Sequence, residues 1–368
     1  MKILIFEPEY IGHYLQYVSY IIDAYHSQRH KIILATTKEA ILSEQYKEFL
    51  FSKKEKFGVI KFSKLFSRKN KHLNRLFYSL VLKKLAKKIK PDLIFIPFLD
   101  SIFFSYSLFG SKKIKTEGIL FRGEYIYPPF TLKKKIKQIL TTLIINHGPF
   151  PRILCLDELN YNYLIKKQKK DILDLCPDPV ENFKIDKKIA RKKLNLTLNA
   201  KILGCVGSID KRKGIDLLIK AIIKRKSKQN EYLLLVGGQN KDIINLTDKY
   251  QNKNIISINK FVSQKDFLFS MAAMDIVAVV HPQHIGSSGT LIQAAAAEKP
   301  VLGSNFGWIG HMMKKYQLGY SCNVQNEDEL IKGVDWAFSN PPFNRTKAKE
   351  FANKNSIEKF KEKIISNI

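Results

Sequence analysis

From Lys201 to Asn323 the chain alternates short apolar runs with helical patterns, and its loops rich in glycine, serine or lysine follow the apolar runs. The runs Lys201–Val206, Tyr232–Val236, Ile255–Ile258, Asp275–Val280 and Pro300–Ser304 read as buried strands, separated by amphipathic helices. Strands alternating with helices give a parallel sheet with crossover helices. In such a sheet ligands sit beyond the carboxyl ends of the strands, where these polar loops fall.

Two of the loops carry chemistry. In Gly207-Ser208-Ile209-Asp210-Lys211-Arg212-Lys213-Gly214 a glycine leaves a strand, three cations follow and a second glycine precedes a helix. Glycines let a phosphate approach the backbone, and cations with a helix N-terminus neutralise it. A basic surface turn would use the same residue types. The loop His284-Ile285-Gly286-Ser287-Ser288-Gly289-Thr290 offers hydroxyls, backbone N–H groups and a helix start at one point. A helix cap would explain Ser288 or Thr290 alone, though not the two glycines or the alanine face beyond them. Tyr10-Ile11-Gly12-His13, after the first strand of the chain, is either a third ligand loop or a helix-capping turn.

With 368 residues the chain is expected to form two domains. The N-terminal half repeats the alternation with strands at Lys2–Phe6, Lys31–Thr36, Leu93–Pro97, Gly118–Phe121 and Arg152–Leu156. Cys176-Pro177-Asp178-Pro179 breaks it. The expected division is an N-terminal domain over 1–176, a linking region over 177–199, a C-terminal domain over 200–342, and a terminal helix over 343–368 that crosses back to the first domain.

Sixty-three Lys and Arg against 33 Asp and Glu give a net charge of +30. That excess suits nucleic acid, an anionic membrane or an anionic substrate, and it also matches a compositional bias, because lysines occur in every segment. No recognition-helix pattern, stacking aromatic cluster or zinc spacing points to nucleic acid, so none is expected as a partner. The basic residues are densest in Phe51–Lys90, where Glu55 is the only acid and Leu76, Leu80, Leu85 and Ile89 suggest a surface helix. The cysteines (155, 176, 205 and 322) are scattered, with no metal-ligand spacing, which fits a reducing compartment. Met1-Lys2 runs straight into a strand, leaving no room for a signal peptide, and Leu93–Gly110 reads as strand and helix rather than a membrane span. A cytoplasmic protein is expected, with attachment to the inner face of the membrane open.

The order Gly207…Lys213-Gly214-Ile215-Asp216-Leu217-Leu218, then Leu234-Leu235-Val236-Gly237-Gly238, Met274-Asp275-Ile276, Gly286…Gln293-Ala294…Lys299-Pro300-Val301 and Gly307…Leu318-Gly319 resembles the C-terminal domain of GT-B glycosyltransferases, family 4 in particular. The resemblance implies an α/β fold with two Rossmann-like domains facing each other across a cleft. It implies transfer of a sugar from a nucleoside-diphosphate donor to a glycan, lipid-linked or other envelope acceptor, with retention and with neither a cofactor nor a metal. Carried over by position, Lys213 matches the family's diphosphate-binding lysine; with the two loops read above, the expected donor side is Gly207, Ser208, Arg212, Lys213, Gly286, Ser287, Ser288, Gly289, Thr290 and Gln293, Arg212 standing in from a different place for the family's arginine. Lys213, Ser288 and His13 are the catalytic candidates, and Gly12, His13, Arg122 and Glu124 face the acceptor. Ser208 stands where the family has an arginine, and Ile285 and Gln293 where it has two glutamates. The alternative is a non-catalytic nucleotide-sugar binding or regulatory protein of the same fold.

Overall fold

Strand β1 (Lys2–Phe6) has Ile3, Leu4, Ile5 and Phe6 fully buried, so both its faces are covered. That is what a parallel sheet with helices on each side requires. In the computed structural model, which describes residues 1–63, 70–111, 113–225, 229–250, 254–339 and 342–366, β1 is an inner strand of the first of two parallel sheets. Its companions are β2 (Lys31–Thr37), β3 (Gly58–Phe62), β4 (Leu93–Ile96), β5 (Lys115–Leu120), β6 (Arg152–Cys155) and β7 (Leu173–Leu175), in the order β3-β2-β1-β4-β5-β6-β7. Leu4 lies opposite both Ile33 and Ile94, which fixes the central register.

The second sheet contains β8 (Lys201–Val206), β9 (Glu231–Val236), β10 (Ile255–Ile258), β11 (Ile276–Val279), β12 (Val301–Ser304) and β13 (Gly319–Cys322), in the order β10-β9-β8-β11-β12-β13. Each sheet is doubly wound. The chain builds outward from a central strand, returns, and builds the other way, leaving a switch point between β1 and β4 in one sheet and between β8 and β11 in the other.

The chain divides into two compact units, Met1–Pro177 joined by the segment from Ile357 onward, and Asp178–Ser356. In the first unit the helix Ile357–Ile365 buries Phe360 and Ile364, with Phe360 edge-on to Tyr17 at 5.6 Å. Buried Arg152 donates to the carbonyl of Lys363 at 2.7 Å and pairs with Asp174 at 2.7 Å. In the second unit the stretch expected to link the domains contains the helix Lys187–Lys193, capped by Asp186. Its Arg191 is buried, donating to the Ala273 carbonyl at 3.0 Å and pairing with Asp275 at 2.6 Å, so the helix is part of that unit's packing.

Three strands, β3, β7 and β13, have no counterpart in the sequence expectation. All three border a sheet edge and are largely uncovered, so they lack the apolar run that marks the central strands. The basic stretch Phe51–Lys90 does hold a helix, Lys71–Ile89, while its residues 64–69 lie outside the described ones. The helix is turned differently from expectation: Tyr78, Leu82 and Ala86 are buried, and Leu76 and Leu80 face solvent. All four cysteines are buried and free. Among the described residues no helix is long and apolar enough to cross a membrane.

Candidate functional site

The switch point of the second sheet is built around a glycine in the left-handed region. Gly214 has φ +70°, and a Cβ there would lie 2.1 Å from the carbonyl oxygen of Val280 and 3.2 Å from Cδ of Pro282. The turn before the helix Ile215–Lys224 is therefore seated directly on the segment that leaves β11. Lys213 precedes this glycine and His281 follows Val280, so the two motif loops meet here.

Asp210 shapes the first loop. One carboxylate oxygen accepts the Lys213 backbone N–H at 3.1 Å, and the other accepts the Ser208 hydroxyl at 2.9 Å and lies 3.4 Å from the Arg212 guanidinium. Ser208 is thus engaged by Asp210, and both Ser208 and Arg212 are exposed. The Lys213 ammonium lies over Gly207, 3.3 Å from where a Cβ would stand. Burial holds its pKa below the ordinary lysine value, with the nearby Arg212 charge acting in the same direction. A desolvated cation beside a glycine backbone with no bulk over it is a seat for an anion.

The second loop supplies a helix start and two imidazoles. Ser288 is buried and caps the helix Gly289–Ala296, its hydroxyl accepting the Leu291 N–H at 3.4 Å. His284 donates from Nε2 to the Ser287 carbonyl at 2.8 Å, and its ring lies 5.0 Å from that of His281. His281 is only 5% exposed, and its Nδ1 has no hydrogen-bond partner. Burial first, then the charges of His284, Lys213 and Arg212, push its pKa well below 6.5. A buried imidazole that cannot easily hold its own proton is primed to gain one when an anion arrives. His281 belongs to no motif in the sequence, and its place directly after a buried strand at a switch point is the signal that marks it.

The remaining donor-side residues divide. Gly286, at φ +94°, is buried; Ser287, Gly289 and Thr290 are partly open at the helix start. Gln293, expected to reach a ribose hydroxyl, is buried and donates its amide to the Glu181 carbonyl at 2.7 Å. Its side chain ties the helix to the segment after Pro179. Ile285 is half-buried. Among the described residues no three His, Cys, Asp or Glu side chains gather as a metal ligand set.

The switch point of the first unit is acidic. Asp100 accepts the backbone N–H groups of Phe121 at 2.7 Å and Arg122 at 3.0 Å, joining the ends of β4 and β5. Glu7 is buried at the end of β1 and accepts the Glu9 N–H at 3.0 Å. Tyr14 packs edge-on against Phe98 at 4.7 Å, and burial, then Glu7, raises its phenol pKa. Gly12, at φ +104°, and His13 are exposed before the helix Tyr14–Ser27, whose start His13 occupies without a side-chain cap. Arg122 is exposed, and Glu124 is engaged by Lys137. Glu7, Asp100 and Tyr14 do not stand out in the sequence, because isolated acids and aromatics after strands carry no distinctive spacing.

Comparison with known proteins bears on this geometry. Residues 186–357 match the family model of glycosyl transferases group 1. No curated protein matches the chain in a sequence comparison. Among solved structures, HepE of Anabaena in complex with UDP-glucose is similar at a TM-score of 0.72 and 14% identity, covering 100% of this chain and 98% of its own. Sucrose-phosphate synthase of Thermosynechococcus elongatus reaches a TM-score of 0.76 at 16% identity, with 99% and 97% covered. WaaG, a glycosyltransferase involved in lipopolysaccharide biosynthesis, reaches 0.71 at 16%, with 99% and 100% covered.

Proposed function

We propose that this chain, a glycosyltransferase of GT-B fold whose C-terminal half matches group 1, moves a sugar from a nucleoside-diphosphate donor held at the β8–β11 switch point. The observation that carries the proposal is the seat of Gly214 on Val280, which joins the desolvated Lys213 to the His281–Thr290 loop. The diphosphate lies on Gly207, Lys213 and the N-terminus of the helix Gly289–Ala296, with Arg212, Ser287 and Thr290 at its edge. Because HepE binds UDP-glucose, a uridine diphosphate sugar is the first donor to test.

In the reaction the bond between the anomeric carbon and the diphosphate oxygen breaks, and its electron pair leaves with the diphosphate. The acceptor hydroxyl oxygen bonds to the anomeric carbon, and its proton passes to the departing diphosphate or to water. Negative charge grows on the β-phosphate as the bond lengthens, so fixed cations and helix N–H groups aimed there stabilise the transition state more than the ground state. Lys213 serves this role, and Ser288 holds the helix start in place. No metal is required in this scheme, and activity is expected to persist in EDTA. The sugar is delivered with retention of its configuration to a glycan or lipid-linked envelope acceptor by a cytoplasmic enzyme attached to the inner membrane face. Gly12, His13, Arg122 and Glu124 line the acceptor side in the first unit.

The test is turnover. Purified protein incubated with UDP-glucose and a panel of other nucleotide sugars should release the nucleoside diphosphate, and Lys213→Ala should slow that release by about a hundredfold or more. A specific observation favours a second reading, a binding protein without turnover: the amide of Gln293 is taken up by Glu181 and Ile285 has no polar atom to offer a sugar. Binding of UDP without hydrolysis or transfer of any donor would decide for it.

A further inference from the structure

The helix Leu132–His147, between β5 and β6 in the first unit, is amphipathic in the wrong sense for a helix that only covers a sheet. Its inner face buries Thr141, Ile145 and Asn146. Its outer face carries Leu132, Ile136, Ile139, Leu140 and Leu143, exposed by 74%, 50%, 52%, 44% and 51%. These positions follow helical spacing and make one apolar stripe along the sixteen residues. Phe130, just before the helix, is also 74% exposed.

The stripe has company. Helices Phe103–Phe109 and Lys71–Ile89 bury their inner sides in the same core, through Phe103, Tyr106, Tyr78 and Leu82, alongside Ile145. The three therefore form one layer on one side of the sheet. Leu108, Leu76 and Leu80 are exposed on it. A soluble monomer rarely presents so long an apolar stripe, with further exposed leucines on the neighbouring helices, without a use for it.

Charge selects the occupant. Between Thr131 and Gly148 there is no acidic residue, while Lys133, Lys134, Lys135 and Lys137 crowd the first turns. Lys134 donates to the Tyr127 carbonyl at 2.8 Å and Lys137 engages Glu124, but Lys133 and Lys135 are exposed and have no ion-pair partner among the described residues. An apolar stripe bordered by unpaired cations is the pattern of a helix lying in the headgroup region of an anionic bilayer. A second copy of the same face would bring lysine against lysine, which opposes self-association.

We propose that the outer face of Leu132–His147 is a membrane-docking surface that lies flat on anionic lipid, with the leucines and isoleucines in the acyl boundary and Lys133 and Lys135 at the phosphates. The surface is independent of how the donor is held, although it gives the lipid-linked acceptor of the proposed function a place to be met.

The experiment is co-sedimentation of the full chain with vesicles of phosphatidylcholine alone or mixed with phosphatidylglycerol. The chain should sediment with the mixed vesicles and much less with neutral ones. Ile136→Ser/Leu140→Ser/Leu143→Ser should weaken partitioning on the order of a hundredfold, since three apolar side chains no longer leave water. Lys133→Glu/Lys135→Glu should remove the preference for anionic vesicles, with roughly a fivefold loss for each lysine removed. Because the substituted side chains are exposed, both variants should keep the wild-type melting temperature and its shift with UDP.

Wild-type chain left in the supernatant with anionic vesicles, or an apolar variant that sediments as well as wild type, overturns the proposal. So does a wild-type dimer in light scattering that the apolar variant disperses while vesicle binding is unchanged, since the face would then be covered by a second copy. A missing UDP shift with the vesicle pattern intact would instead overturn the donor assignment and leave the docking surface standing.

Discussion

The two sheets place the same topological feature in opposite electrostatic settings. At the β8–β11 switch point the loops present Lys213, Arg212, His281 and His284; desolvation lowers the pKa values of Lys213 and His281, with Arg212 adding to both and His284 and Lys213 adding to that of His281. At the β1–β4 switch point the corresponding ends present Glu7, Glu9 and Asp100, and Tyr14 is pushed up. Identical winding thus prepares one site for an anion and one for a ligand that is not. The net charge of +30 says nothing of this, because it averages over both. What distinguishes the units is which charges are desolvated at the strand ends, and a desolvated charge acts far more strongly than one on the surface.

The largest expected break in this contrast is Lys213→Ala. Removing the desolvated cation should lower kcat/KM for the donor by about a hundredfold to a thousandfold, as loss of an oriented charge-stabilising donor does in other active sites. Arg122→Ala in the first unit should leave the binding of UDP unchanged in a calorimetric titration.

Next is Gly214→Ala, which forces a Cβ to within 2.1 Å of the Val280 carbonyl at a left-handed φ. Denaturant unfolding should show a loss of about 2–4 kcal/mol, with UDP affinity falling because the two loops separate.

His281 gives a pH signature. Its folded pKa lies below 6.5, so as the pH falls under that value the unfolded chain takes up a proton that the folded chain does not. Stability is fully present above the unfolded value and declines with acidification by up to about 1.4 kcal/mol per pH unit from this group. His281→Gln should flatten the melting-temperature profile between neutral and mildly acidic pH. UDP binding should raise the wild-type pKa and tighten as the pH falls, and that dependence should vanish in the variant.

The smallest effects concern the helix starts. Ser288→Ala removes a buried cap and should cost about 1 kcal/mol. His13→Ala, at a start with no side-chain cap, should cost little in stability.

The sequence exposed the second sheet more clearly than the first, and the reason is physical. β8, β9, β11 and β12 are apolar runs because helices cover both faces, and the glycines and lysines after them stand out against those runs. The edge strands β3, β7 and β13 had no such signal, since their residues are half in water. Side-chain commitments were hidden for a different reason. Gln293 is bound to the carbonyl of Glu181, a residue 112 positions earlier, and Ser208 to an aspartate whose capping role depends on the turn geometry. Neither partnership leaves a spacing to read. His281 was legible by position but not by motif, and the stripe on Leu132–His147 has the same helical spacing that a core-facing stripe would have, so the sequence does not mark it as exposed.

The central claim is that the anion site lies at the β8–β11 switch point and not at its counterpart. Hydrogen–deuterium exchange of the full chain with and without saturating UDP tests it most directly. Slowed exchange is expected in peptides covering 207–215 and 281–292, with the peptides covering 7–14 and 97–102 unchanged. Protection at the first unit's strand ends with none at 207–215 would contradict it.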